Sequence, residues 1–405
     1  MGYFNPNISW SELERRLSGG AKPEDILGQD AYGEPIIPHP PVTDVLANSA
    51  DEWAGADGGD SPAWSRKRAA YQPPAGVRPP VTSTVDYAEL HCHTNFSFLD
   101  GASQPEELVE EAVQLGLSAL AVTDHDGFYG VVRFNEAARE WKLPAVFGTE
   151  LSLDLPGPQN GEPDPVGRHL LVLARGPEGY ARMSRTLALA HLAGGEKGKP
   201  VYDVDEVAGA LRDHALVLTG CRKGPVPAAL LAGGMDAAAT ELDRLVALFG
   251  RDNVAVELTR RGDPLDDDIC DALAALADGF GLPTVATGNV HYATPKRRPL
   301  ATALAAVRAR RSLDEMDGWL PAAATAHLRS GEEMAALYAA YPGAVDRAAI
   351  YGKELAFDLQ LVSPQLPAFE VPAGHTEMTW LRQLTMDGAA QRYGPRGADT
   401  TRQYE

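Results

Sequence analysis

Two histidines, His91 and His93, stand two residues apart in "ELHCHTNFSFLDG", with Asp100 close behind. On an extended strand, alternate side chains share a face, so both imidazoles could grip one cation. Neutral imidazole, carboxylate and thiolate are the donors that protein sites offer to Zn, Mn or Fe. The H-x-H pattern is short, and a strand end with two surface histidines would read the same. The rest of the chain supplies the context. "ALAVTDHDG" ends in Asp124-His125, "AVFGTE" in Glu150, "ALVLTGC" in Cys221 and "TVATGNVH" in Asn289 and His291, while "RHLLVLA" carries His169 at its beginning. A lone Glu150 or Cys221 is more often structural, and Thr-Asp-His could be a turn. Six segments that all do this point to a metal centre.

Something must bring those segment ends together. From residue 86 the sequence alternates strand and helix signals: "YAELHCH", "SQPEELVEEAVQLG", "LSALAVTDH", "GVVRFNEAAREWK", "LPAVFGTE" and onward to "LPTVATGNVHY". Six or seven such units predict an α/β fold with a parallel sheet and outer helices, closed into a barrel. In such a barrel the C-terminal strand ends converge on one face. Ser103 and Glu106 are spaced as a capping box, with Pro105 in the first helical turn. Cys92, between the two histidines, should face away from them into packing, and Cys270 should be a core residue of an amphipathic helix. "DPLDDDICD" lacks the turn glycine and final Glu of a calcium loop and reads as a solvated helix start. "AGGEKGKP" does not fit the phosphate-loop pattern and reads as a plain loop.

Flanking regions differ in texture. Residues 1–85 read as an N-terminal extension: a short amphipathic helix at "SWSELERRLSGG", then a Pro-, Gly- and Ala-rich linker. Residues 301–362 read as an Ala-rich helical connector, and 363–405 as a turn-rich segment followed by one more helix. The chain has 405 residues and a net charge of −20. That charge argues against a free-standing duplex binder, which needs clustered Lys and Arg. No run of 18 uncharged apolar residues is present, so no membrane span is expected. The absence of a signal-peptide pattern, with three cysteines and no disulfide framework, points to the cytoplasm.

The order H-x-H, T-D-H, G-x-E, H-L-x-V-L-A, Cys and N-x-V-H resembles the polymerase and histidinol phosphatase (PHP) domain. More narrowly, "ELHCHTNFSFLDGASQPEELVEEAVQLGLSALAVTDHDGFYGVVRF" is similar to the amino-terminal domain of bacterial C-family DNA polymerases. The long extension and "GNVHYA" resemble their error-prone, actinobacterial-type branch. The resemblance implies a distorted seven-stranded (β/α) barrel over 86–300 and the start of a polymerase palm over 363–405. It also implies metal-ligand roles for His91, His93, Asp100, His125, Glu150, His169, Cys221 and His291, with Asp124 supporting a ligand imidazole. Asn289 falls where metal-binding members carry Asp. Two or three divalent ions (Zn, Mn or Fe) would bind, serving a weak phosphoesterase or 3′–5′ exonuclease, or a structural support for the polymerase. Implied partners are the remainder of the polymerase chain, DNA through the full-length protein, a sliding clamp and accessory mutagenesis proteins. Nucleotidyl transfer would belong to the full-length family and not to these residues. The competing reading is a free-standing phosphatase for a small phosphate ester such as histidinol phosphate.

Overall fold

Buried apolar runs set the frame. The strands β1 (Ala88–Glu89), β2 (Ala119–Val122), β3 (Ala145–Leu153), β4 (Arg168–Ala174), β5 (Ala215–Leu218), β6 (Val254–Thr259) and β7 (Thr284–Thr287) are covered almost throughout. Continuous Val, Leu and Ala runs such as "ALVL" suit strands buried on both faces. The computed structural model describes residues 71–74, 83–158, 167–316, 325–359 and 370–394. These lie in one compact unit, Tyr71–Glu405. The expected N-terminal helix and most of the extension lie outside the described residues.

The seven strands pair in sequence order. Past the ends of β1 and β7, Cys92 bridges Val290 in parallel, with His93 N–H donating to Val290 O (2.8 Å) and Val290 N–H to His91 O (2.8 Å). These bonds close the sheet into a barrel. Outer helices are α1 (Pro105–Gln114), α2 (Val131–Trp141), α3 (Gly176–Gly194), α4 (Val204–Leu211), α5 (Pro225–Phe249) and α6 (Asp266–Phe280). After β7 come α7 (Arg298–Ala309), α8 (Gly331–Leu337), α9 (Ala344–Leu355) and α10 (Glu377–Tyr393). Among the described residues, no helix is long and apolar enough to cross a membrane.

The sheet departs from the all-parallel expectation in one strand. β4 runs antiparallel to both β3 and β5, while the remaining pairs are parallel. The sequence between "AVFGTELSL" and "RHLLVLA", "DLPGPQNGEPDPVG", is rich in Pro and Gly and carries no helical pattern of the kind that usually joins parallel neighbours. The cap of α1 also sits one residue later than expected. The Glu107 carboxylate accepts from Gln104 N–H (3.0 Å), while Ser103 Oγ accepts from Ala293 N–H (2.9 Å).

α9 packs against β1, β2, β3 and β7. A Cβ at Gly352 would come within 2.3 Å of Ala88 Cβ and 3.0 Å of Ala119 Cβ, so glycine sets the closeness of this approach. Gly352→Val is therefore expected to cost about 1–3 kcal/mol through overpacking. Urea denaturation measures this, and a midpoint equal to the parent's would refute the close fit.

Candidate metal centre

Each donor arrives from a particular piece of backbone. β1 continues into His91 and His93, whose side chains are buried, while Cys92 between them lies in the hydrophobic core. β2 continues to His125, which bridges to Glu150 on β3. His169 stands opposite Ser152 on the inverted strand β4. That inversion brings the beginning of β4 to the face where the parallel strands end, which is why a residue at a strand's start joins residues at other strands' ends. Cys221 follows β5, and Asn289 and His291 follow β7.

Glu150 is the hub. Its carboxylate lies 3.3 Å from His91 Nε2, 3.6 Å from His93 Nε2, 3.4 Å from His125 Nδ1 and 3.0 Å from His169 Nδ1. Two donor sets share it, His91/His93/Glu150 and His125/Glu150/His169, the atoms of each set lying within 4.8 Å of one another. Cys221 Sγ is 3.9 Å from Glu150 Oε1. Asp100 Oδ2 reaches His125 Nε2 (3.2 Å) and His291 Nε2 (3.4 Å). Asp100 is aimed there by a tight loop: a Cβ at Gly101 would lie 1.9 Å from Thr94 O, so only glycine fits.

Several imidazoles are fixed from behind. His91 Nδ1 donates to Glu257 Oε1 (2.7 Å), leaving its Nε2 lone pair for the centre. Ser97 Oγ donates to Asp124 Oδ1 (2.7 Å), so it accepts from His93 Nδ1–H (3.1 Å) and again frees Nε2. Asp124 is held by Thr94 N–H (2.7 Å) and Thr94 Oγ1 (2.8 Å) and thus acts on His93 through a hydroxyl. His291 Nδ1 donates to Asn289 O (2.9 Å).

The donor set fits a cation. His91 Nε2 and His93 Nε2 face each other at 3.2 Å, and the tautomers set by Glu257 and Ser97 give both a lone pair there. Two lone pairs at that distance repel unless a proton or an ion lies between them. Asn289 Oδ1 is buried without a hydrogen bond, and His125 Nδ1 and His169 Nδ1 face the Glu150 carboxylate at 3.4 and 3.0 Å without a well-directed one. Burial penalises the Glu150 carboxylate, yet His169 and His91 more than reverse this and hold it well below its usual range. Burial also opposes charge on His91, but Glu257 and Glu150 raise its pKa well above the ordinary value. For His93, burial and the neighbouring His125 and His291 drive the pKa well down. Burial lifts the Cys221 thiol to about 11 in the ion-free protein.

The Asn289 side-chain oxygen accepts no hydrogen bond, and its backbone is left-handed at φ 44°. Three residues the sequence reading missed belong here. Glu257 orients His91, Ser97 orients His93, and Arg308 Nη1 donates to Asp100 Oδ1 (3.1 Å). Glu257 lies near the end of β6, "NVAVELT", so the strand-end pattern that singled out the candidate donors could have singled it out too. Arg308 lies on a helix and carried no such signal.

Residues 89–261 match the PHP domain family. The chain is 50% identical over 436 residues to the error-prone DNA polymerase of Nocardia farcinica, covering 98% of this chain and 36% of that protein. It is 54% identical over 395 residues to the error-prone DNA polymerase of Mycobacterium tuberculosis H37Rv, covering 98% and 33%. The chain thus spans about a third of the length of these relatives. A solved structure from Bifidobacterium adolescentis, described as a metal-dependent phosphoesterase, overlaps with TM-score 0.37 and 21% identity over 52% of this chain and 89% of that one. At that score the likeness carries no argument about chemistry. The chain carries a PHP domain and is similar, over nearly its whole length, to part of the error-prone DNA polymerases.

Proposed function

We propose that this chain is the N-terminal part of an error-prone DNA polymerase of damage-induced mutagenesis, and that its barrel holds a divalent-metal centre. The observation that carries the metal reading is Glu150: one carboxylate, 1% exposed, with four imidazole nitrogens within 3.6 Å. One ion would sit with His91, His93 and Glu150, another with His125, Glu150 and His169, while Cys221 lies on the Glu150 Oε1 side that faces His91. Bound there, divalent ions would supply Lewis acidity and neutralise phosphoester charge. The chain's own residues set the stage: Glu257 and Ser97 fix imidazole tautomers, and Asp124 fixes Ser97. A net charge of −20 makes direct phosphate contact dependent on such ions or on a basic partner.

The remainder of the polymerase chain is the proposed main partner, with DNA, a sliding clamp and accessory mutagenesis proteins engaged through the full-length protein in the cytoplasm. Residues 363–405, with α10, would begin the palm. A free-standing phosphatase is not favoured, because similarity to the polymerases runs far past residue 261, where the PHP match ends. Asn289 offers one neutral oxygen where a carboxylate would give two anionic ones. Hydrolysis of DNA 3′ ends should therefore be weak in the parent with Mn, rise in Asn289→Asp and vanish in His93→Ala. Hydrolysis indifferent to His93→Ala would remove the barrel from the reaction, and template-directed extension by these residues alone would refute the proposed division of labour.

A further inference from the structure

Both compact donor sets use Glu150, and Asp100 and His291 join neither among the described residues. Asp100 is instead shared between charges: its Oδ2 faces His125 and His291, and its Oδ1 accepts from Arg308 (3.1 Å). Arg308 is placed by packing. Ala301 and Leu304 of α7 lie against Ala102 and Tyr292, which flank the Asp100 loop and the His291 segment. Four residues beyond Leu304, one helical turn, Arg308 projects from the same face. Its side chain is 13% exposed, so the guanidinium is part of the site wall and not a solvated surface group.

We infer that Arg308 is a built-in cation at the locus of a third metal ion, and that the barrel therefore holds two divalent ions and not three. This rests on the metal-centre reading and deepens it. A guanidinium is permanently charged and cannot vacate the site by losing a proton. It occupies one oxygen of Asp100, the carboxylate that a third ion beside His291 would need. A divalent ion placed there would face a like charge across that carboxylate. Asn289 works in the same direction, because an amide adds no negative charge to offset another ion. Arg308 is thus a positioning residue: it holds Asp100 against His125 and His291 and excludes the extra ion.

The test counts Mn per chain by mass spectrometry and by titration, with circular dichroism as the check on folding. The parent should bind two ions, Arg308→Lys should stay at two, and Arg308→Gln combined with Asn289→Asp should bind three. Three ions in the parent, or two in the folded double variant, would overturn the inference while leaving the metal centre standing. No metal in the parent would overturn both. Should the double variant not fold, Arg308→Gln alone decides: a third equivalent at saturating Mn supports the inference, and its absence refutes it.

Discussion

Glu150→Gln should empty both metal loci at once. The substitution keeps volume and one carbonyl oxygen but removes the only carboxylate common to the two donor sets. The apparent affinity for both ions should fall by more than the roughly 10–100-fold that accompanies loss of a supporting partner. Stability should fall as well, because an ion that binds only the folded state stabilises it by mass action. When the ion is absent, the substitution also removes one of the two buried carboxylates that face His91. The comparison variant is Glu257→Gln. Among the described residues Glu257 pairs with His91 and with no other imidazole, so its loss should weaken the His91/His93 ion and spare the other. Metal analysis on protein purified without chelator reads the pattern directly. Glu150→Gln retaining the parent's metal content would refute the shared-hub geometry.

That hub was only partly visible in the sequence. Strand ends are legible because a buried apolar run that stops at His, Asp, Glu or Cys stands out against its neighbours. His91, His93, His125, Glu150 and Cys221 were singled out this way and His169 at the start of its run, and the structure brings all six together. Their order around Glu150 was not legible, because it depends on strand pairing. The inversion of β4 is the clearest case: local propensity does not encode pairing direction, and the Pro- and Gly-rich sequence between β3 and β4 was an available clue. Arg308 and Gly352 were invisible for a different reason. Each matters through contacts made by a helix that returns to the barrel from outside the run of strand ends. The cap of α1 slipped by a residue because Ser103 is used for a distant backbone contact at Ala293, a competition that local pattern cannot register.

Acid should strip the centre. Imidazole binds an ion only when neutral, and each donor set contains two imidazoles. Lowering the pH from 7.5 to 5.5 should therefore reduce the apparent affinity for each ion, because protons compete with the ion for the imidazoles. Ion-derived stability should fall with it, because an ion bound only to the folded state stabilises by mass action. Shifts in the ion-free protein modify the onset. The raised pKa of His91 gives a stabilising contribution that is fully present below its unfolded value and lost as pH rises through its folded one. Protons therefore compete for His91 from above pH 6.5, while the loaded protein loses ions. The lowered pKa of His93 acts oppositely, destabilising the ion-free protein as pH falls below 6.5. Glu150 stays ionised throughout this window: its depressed pKa confers stability above the ordinary carboxylate range, lost only as pH falls through the lower folded value. Melting temperature should accordingly differ strongly between loaded and EDTA-treated protein at pH 7.5, and the two should nearly coincide at pH 5.5. A gap of equal size at both values would mean that histidines do not hold the ions, and the donor assignment would fall.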